Sequence, residues 1–432
     1  MWVDCGMALT PTAEGDRIQS LDVLRGFALL GILLLNILGF GLVSASYSNA
    51  GYDLLGGSSL DWIVWAGVEL SAEGAMRALF SILFGAGVLL FTTGDRAKGG
   101  WTYYRRTFWL LMFGLIDAYL LLWSGDILVC YALAGALLYL LRNRTTKTML
   151  IIFAVLLTLI SGFYGVIRFG LAASKEAAVE LAAMEDPSSA SDELRSLAEG
   201  WEGFSADFLM TPEAEADELA ARRGSYASAF EWNLPQTNKM MFTVLPMFLF
   251  WDALVMMLLG MALYRSGVLQ GERSTRFYVT MMLGGFAVGL SVNGYEVWQG
   301  VSTNMDLFAI FAQFQPTYHI GRLGMALGYI GLLVLIVRAG RLAAMQQALA
   351  NVGRMALTNY LMQSLICLLL FTGAGLGLVA VFSRSTMYLF VVGIWIFQIL
   401  FSGWWLARYR FGPVEWLWRA LTYGSRPPMV RT

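Results

Sequence analysis

The chain has 432 residues, 58% hydrophobic, 14% aromatic and only 14% charged, with a mean hydropathy of +0.62. Soluble chains carry about 25% charged residues, so a water-soluble enzyme is excluded. Twenty-nine basic against thirty acidic residues leave a net charge of −1, too little basic field to hold nucleic acid. Three cysteines (Cys5, Cys130, Cys367) and one histidine, His319, make neither a disulfide framework nor a two-histidine metal site.

A bilayer crossing needs about 20 apolar residues in a helix, because unpaired backbone amides are costly in hydrocarbon. Ten stretches qualify: 21–43, 75–93, 107–123, 125–141, 148–170, 241–264, 277–296, 318–338, 355–380 and 386–407. The expected fold is all-α, a polytopic membrane helix bundle of about ten transmembrane helices. Its expected parts are a cytoplasmic segment 1–20, a bundle half 21–170, an acidic helical lid 171–240, a second half 241–407 and a cytoplasmic tail 408–432.

In the first span, Ser20 is placed to cap the helix and Asp22 to meet the positive end of its dipole. Arg25 and Asn36 lie eleven residues apart, on one face and roughly 16 Å apart along the axis. Spans three and four are joined by Trp123-Ser124-Gly125-Asp126, a tight hairpin, with Asp117 well inside span three and Asp126 opening span four. The lid segment carries fourteen acidic residues against five basic ones, with breaks expected at Pro187, Pro212 and Pro235. It reads as a solvated connector or as a cover over something.

Asp252 falls near the middle of span six, and His319 and Arg322, three residues apart, share one face of span eight. Asn359 and Gln363 share a face of span nine. Ionisable groups inside a span are costly and point to function, although each of these polar residues can equally serve an interhelical hydrogen bond. Gly85 with Gly87, and Gly284 with Gly285, read as close helix packing. Residues 412–419 read as an interfacial helix begun by Pro413, with Glu415 and Arg419 paired at i and i+4.

Twenty of the twenty-nine lysines and arginines fall at alternate ends of the spans. The positive-inside bias then places both termini in the cytoplasm and the lid outside. Neither a phosphate-binding Gly-x-x-x-x-Gly-Lys loop nor a Gly-x-Ser-x-Gly elbow nor a His-Glu-x-x-His helix occurs, which removes support for ATP-driven transport and the common hydrolases.

Ser20-Leu21-Asp22-Val23-Leu24-Arg25-Gly26 running on to Asn36, Leu83-Phe84-Gly85-Ala86-Gly87, Gly125-Asp126-Ile127-Leu128, Val352-Gly353-Arg354 running on to Asn359-Tyr360-Leu361, and Gly412-Pro413-Val414-Glu415-Trp416 occur in this order. Together they resemble the YeiB-like family of multi-spanning bacterial membrane proteins, a domain of unknown function. The Asp22, Arg25-Gly26 and Asn36 arrangement is also similar to that of the transmembrane acyltransferases that include heparan-alpha-glucosaminide N-acetyltransferase. That resemblance implies transfer of an acyl group from cytoplasmic acyl-CoA to an acceptor on the far side, with Asn36 as an active-site hydrogen-bond donor. Tyr47 stands where that enzyme has its catalytic histidine, and Asp117 where relatives often show one.

On the acyltransferase reading, Arg25, Arg354 and Arg419 meet the phosphates of acyl-CoA and Asn36 polarises the carbonyl. His319, Asp126 or Asp117 supplies acid-base chemistry, and Arg322, Asp252, Asn359 and Gln363 contact substrate. A second reading is a solute or lipid transporter in which Asp117, Asp252, His319 and Arg322 form a solute or proton path. A third is a non-catalytic membrane partner whose acidic segment docks another protein. Membrane lipids are the expected surroundings, with no metal.

Overall fold

The computed structural model describes residues 18–93, 99–206, 208–310, 315 and 317–431; Cys5, Arg17, Arg96 and Lys98 lie outside the described residues. In chain order the helices are α1 (Gln19–Gly41), α2 (Ser44–Ser48), α3 (Gly51–Leu54), α4 (Ser59–Ser71), α5 (Ala75–Thr92), α6 (Gly100–Tyr119), α7 (Leu128–Leu138), α8 (Thr146–Ala183), α9 (Asp192–Ala206) and α10 (Pro212–Gly224). They continue as α11 (Tyr226–Lys239), α12 (Phe250–Arg265), α13 (Thr275–Ser302), α14 (Leu307–Ile310), α15 (Tyr318–Arg338), α16 (Ala343–Arg354), α17 (Ala356–Phe371), α18 (Arg384–Arg408) and α19 (Pro413–Tyr423). Among the described residues the only β-type pairing is one isolated bridge, Tyr409 with Val430.

A helix stands at each of the ten expected places. Seven helical segments are long and apolar enough to cross a bilayer, and eight if α16 and α17, bent by 80°, form one crossing. Helix α8 turns Leu150, Ile151, Val155, Leu159, Phe163, Val166 and Phe169 outward. So much exposed apolar surface is stable only against lipid, and the protein is a multi-pass membrane protein.

Local chemistry starts several helices where the chain provides a cap. Ser58 and Asp61 form a reciprocal capping box on α4, with Ser58 N–H donating to Asp61 at 2.9 Å. Thr211 caps α10, with Pro212 in its first turn. Ser20 does not cap α1, which begins one residue earlier; its hydroxyl donates to Leu269 O at 2.7 Å and ties α1 to the chain after α12.

Three expected boundaries differ. Helix α17 ends at Phe371, so residues up to 380 run as turns rather than helix. Helix α8 continues unbroken to Ala183, past the expected start of the lid. Pro235 lies inside α11, and Pro246 sits in a π-helical stretch, Met240–Leu249, that carries α11 directly into α12. The wider π turn accommodates a residue that lacks an N–H.

Close crossings are set by glycine. A Cβ on Gly85 would lie 1.9 Å from Met257 O and one on Gly260 1.8 Å from Ile82 O, so α5 and α12 meet backbone to backbone. Gly285 packs similarly on Gly324, joining α13 to α15. Gly87 and Gly284 face open space, so only one glycine of each expected pair is a packing residue.

Candidate functional site: two cavities sharing one wall

A cavity of about 900 Å³ opens beneath the segment between α8 and α12. Asn36, Arg77, Asp126, Tyr131, Asp252 and Arg322 are among its lining residues, and Phe204, Phe208, Trp232 and Asn233 from the lid cover it. Helices of the acidic segment thus form part of the cavity's wall. The segment is held by Glu218 and Arg222, both buried. Arg222 donates to Glu218 at 2.7 Å, Leu42 O at 2.8 Å and Phe40 O at 2.5 Å, while Glu218 accepts from the Ser44 hydroxyl at 2.7 Å. A cation thus meets the carbonyl end of α1, where the helix dipole is negative. Burial pushes the Arg222 guanidinium below its ordinary value, and Glu218 pulls it back.

One wall of the capped cavity is an ionic cluster. Arg322 donates to Asp252 at 2.7 Å and to His319 Nδ1 at 2.6 Å, and Arg77 Nε lies 3.5 Å from Asp252. Arg77 also donates to the Tyr318 hydroxyl at 3.0 Å, which donates to Glu73 at 3.2 Å. Gly74, at φ +60°, turns the chain between α4 and α5 against Tyr318 and Arg322. A side chain there would be strained and would displace the cluster. His319 is buried, stacks on Tyr164 at 4.8 Å and lines neither of the two cavities described here. Its contacts are with Arg322 and Tyr164.

Asp126 borders the capped cavity and accepts from Val129 N–H at 2.8 Å, in the first turn of α7. Asn36 lines the same cavity, and among the described residues its amide has no hydrogen-bond partner. Asp117 is fully buried on α6, beside Asp126, and borders neither cavity.

A second cavity, about 290 Å³, gathers Arg25, Arg106, Arg354 and Arg419. The sequence explains the convergence. A Cβ on Gly26 would lie 1.9 Å from Leu349 O, and one on Gly353 2.0 Å from Asp22 O. Helices α1 and α16 therefore touch at backbone level, and the residues next to these glycines, Arg25 and Arg354, open onto one space. Arg25 pairs with Asp22 at 3.0 Å. Arg106 lies 4.0 Å over the Trp418 ring, and Arg419 lies 4.6 Å over Phe411. Glu415 is directed at the start of α17, accepting from Leu357 N–H at 2.7 Å and Thr358 N–H at 3.0 Å, instead of forming the expected pair with Arg419. Burial raises the Glu415 carboxyl, and these bonds to Thr358 and Leu357 lower it again.

Tyr131 lines both cavities. Its hydroxyl lies 2.7 Å from Ser81 Oγ, and its ring packs on Phe80 at 5.9 Å and Phe84 at 5.2 Å. Tyr131 thus belongs to the wall between the two spaces.

Asn359 and Gln363 are not at either cavity. Asn359 donates to Ser402 at 3.0 Å, Gln363 to Gln398 at 3.0 Å, and Gln398 to Asn359 O at 2.7 Å. They clamp α17 to α18. Sequence reasoning missed Arg77, Glu73, Arg106 and Tyr131. Glu69, Glu73 and Arg77, spaced by four, carried a readable signal at the entrance to the second span; Tyr131, an aromatic residue among apolar ones, carried none.

These features define a multi-pass helical membrane protein with a capped cavity and an arginine-lined cavity on either side of one tyrosine. The chain belongs to the YeiB-like family of proteins of unknown function. The family described as Protein of unknown function (DUF418) matches residues 263–425. The uncharacterized protein YeiB of Escherichia coli (strain K12) is 34% identical over 96% of this chain and 98% of its own. The uncharacterized protein YxaH of Bacillus subtilis (strain 168) is 30% identical over 98% of each. An uncharacterized 39.9 kDa protein from the amylase 3' region of Bacillus acidopullulyticus is 26% identical over 98% of each. No solved structure matches the chain.

Proposed function

We propose that this protein transfers an acyl group across the bacterial plasma membrane, from a CoA thioester on the cytoplasmic side to an acceptor on the outer side. The observation that carries this reading is the shared Tyr131 wall, with arginines gathered on one side of it and Asn36 and Asp126 on the other. Both termini are cytoplasmic in this reading, so the arginine cavity opens inward and the cap lies outside.

Arg25, Arg354 and Arg419, joined by Arg106, suit the phosphates of CoA, which guanidinium groups bind through paired charged hydrogen bonds. The acyl arm extends past Tyr131. The Asn36 amide N–H is free to polarise the thioester carbonyl, and Asp126 is placed to take the acceptor's proton. The acceptor enters beneath the cap.

Purified protein supplied with acetyl-CoA tests this. Release of free CoA dependent on an added acceptor extract, and lost in Asn36→Ala, supports the reading. Equal release from parent and variant removes it. The cluster of buried Asp252 and Arg322 with half-buried Arg77 at the capped cavity favours a second reading, proton-coupled transport. Solute uptake into liposomes that requires a proton gradient and stops in Asp252→Asn would select that alternative.

A further inference from the structure

The partition between the cavities also holds an unusual pair of acids. Asp117 is fully buried, and no donor completes a hydrogen bond of ordinary geometry to either of its carboxylate oxygens. Its neighbours are Asp126 and Ser364. Asp126 is equally sheltered, and its Oδ1 has no partner. Gly114, one turn before Asp117 on α6, makes room for this approach, because a Cβ there would lie 2.7 Å from Asp126 Oδ2. Among the described residues no cation pairs with either acid.

Two carboxyl groups in this position hold one proton between them more readily than two negative charges. Tyr360 stands beside the pair. Its hydroxyl accepts from Ile127 N–H at 3.2 Å and interacts with Asp126. Asp126 borders the capped cavity, whereas Tyr360 borders the arginine cavity. The sheltered acids therefore lie between the two spaces, with a hydroxyl on the arginine side.

We propose that Asp117, Asp126 and Tyr360 form a proton relay through the partition. It rests on the acyl-transfer reading and supplies what that reaction must balance. When the acceptor X–H attacks the acyl carbon, the C–X bond forms, the C–S bond breaks and the electron pair leaves on sulfur. The acceptor's proton is released in the capped cavity, while the thiolate, withdrawn past Tyr131 with the CoA arm, is protonated in the arginine cavity. Asp126 takes the proton from X–H, Tyr360 gives its hydroxyl proton to the thiolate, and the acid pair restores the tyrosine. No proton is drawn from either compartment.

Infrared difference spectra and turnover test the relay together. At neutral pH the parent minus an Asp117→Asn, Asp126→Asn double variant should show a protonated carboxyl C=O band that shifts in D2O. Asp126→Asn should lower kcat for acetyl-CoA by about a hundredfold or more, and Tyr360→Phe by about tenfold, with KM for acetyl-CoA little changed. Absence of the band overturns the proposal whatever the turnover. Full kcat in Asp126→Asn or Tyr360→Phe also overturns it. A parent that shows the band but no acyl transfer leaves the shared proton in place and removes the transfer reading with the relay built on it.

Discussion

Arg25 and Asn36 lie on the same stripe of α1 and open onto different cavities, Arg25 onto the arginine-lined one and Asn36 onto the capped one. Eleven residues of helix separate them by roughly 16 Å, so one rigid element addresses both ends of the proposed reaction. The two residues should therefore fail differently. Arg25→Gln is expected to raise KM for acyl-CoA by about tenfold with kcat retained, the loss of one charged hydrogen bond. Asn36→Ala is expected to lower kcat by about a hundredfold with little change in KM. Steady-state kinetics on the two variants checks the split.

The α1 and α16 crossing leaves no space for a methyl group at Gly26 or Gly353. Gly26→Ala should cost about 1–3 kcal/mol, because the obstruction is a backbone carbonyl rather than a flexible side chain. Gly284→Ala, facing open space, should leave the melting temperature within a degree or two or raise it slightly, since alanine is the better helix former. Thermal melts in detergent, run side by side, distinguish the positions.

Glu218 and Arg222 hold the cap as a buried pair, so removing either strands the other. Glu218→Ala or Arg222→Ala should each destabilise the cap by about 3–5 kcal/mol, and the double variant by less than their sum. Faster hydrogen exchange across α9 and α10, with exchange in α5 and α12 unchanged, is the expected pattern. Uniform loosening of all four helices would contradict a local anchor.

Tyr131→Phe removes only the hydroxyl contact with Ser81 and should cost about 1 kcal/mol. Tyr131→Ala opens the partition and should connect the two cavities. Accelerated acyl-CoA hydrolysis in the absence of any acceptor, measured as thiol release, is the expected sign of water crossing the wall.

The places of the apolar helices were legible because lipid demands long apolar runs. Arg25, Arg354 and Arg419 line one cavity, and only the backbone contact at Gly26 and Gly353, which spacing along the chain does not reveal, explains how they converge. Less could be read of polar residues within spans. A buried amide that clamps two helices, as Asn359 does, and one that faces a cavity, as Asn36 does, have the same local sequence character. His319 illustrates the limit, because its role depends on Arg322 and Tyr164 packing around it. Likewise Glu415 looked paired with Arg419 by spacing, yet the N-terminus of α17, brought close by the 80° bend after α16, offers its free N–H groups to that carboxylate.

The most direct test of the account is a density map of the protein with a non-hydrolysable acyl-CoA analogue, in the parent and in an Arg25→Gln, Arg354→Gln double variant. The account predicts nucleotide density among Arg25, Arg354 and Arg419, an acyl arm reaching Tyr131, and loss of both in the variant. A parent map with nothing bound at these arginines at saturating ligand, or density that persists unchanged in the variant, would contradict it.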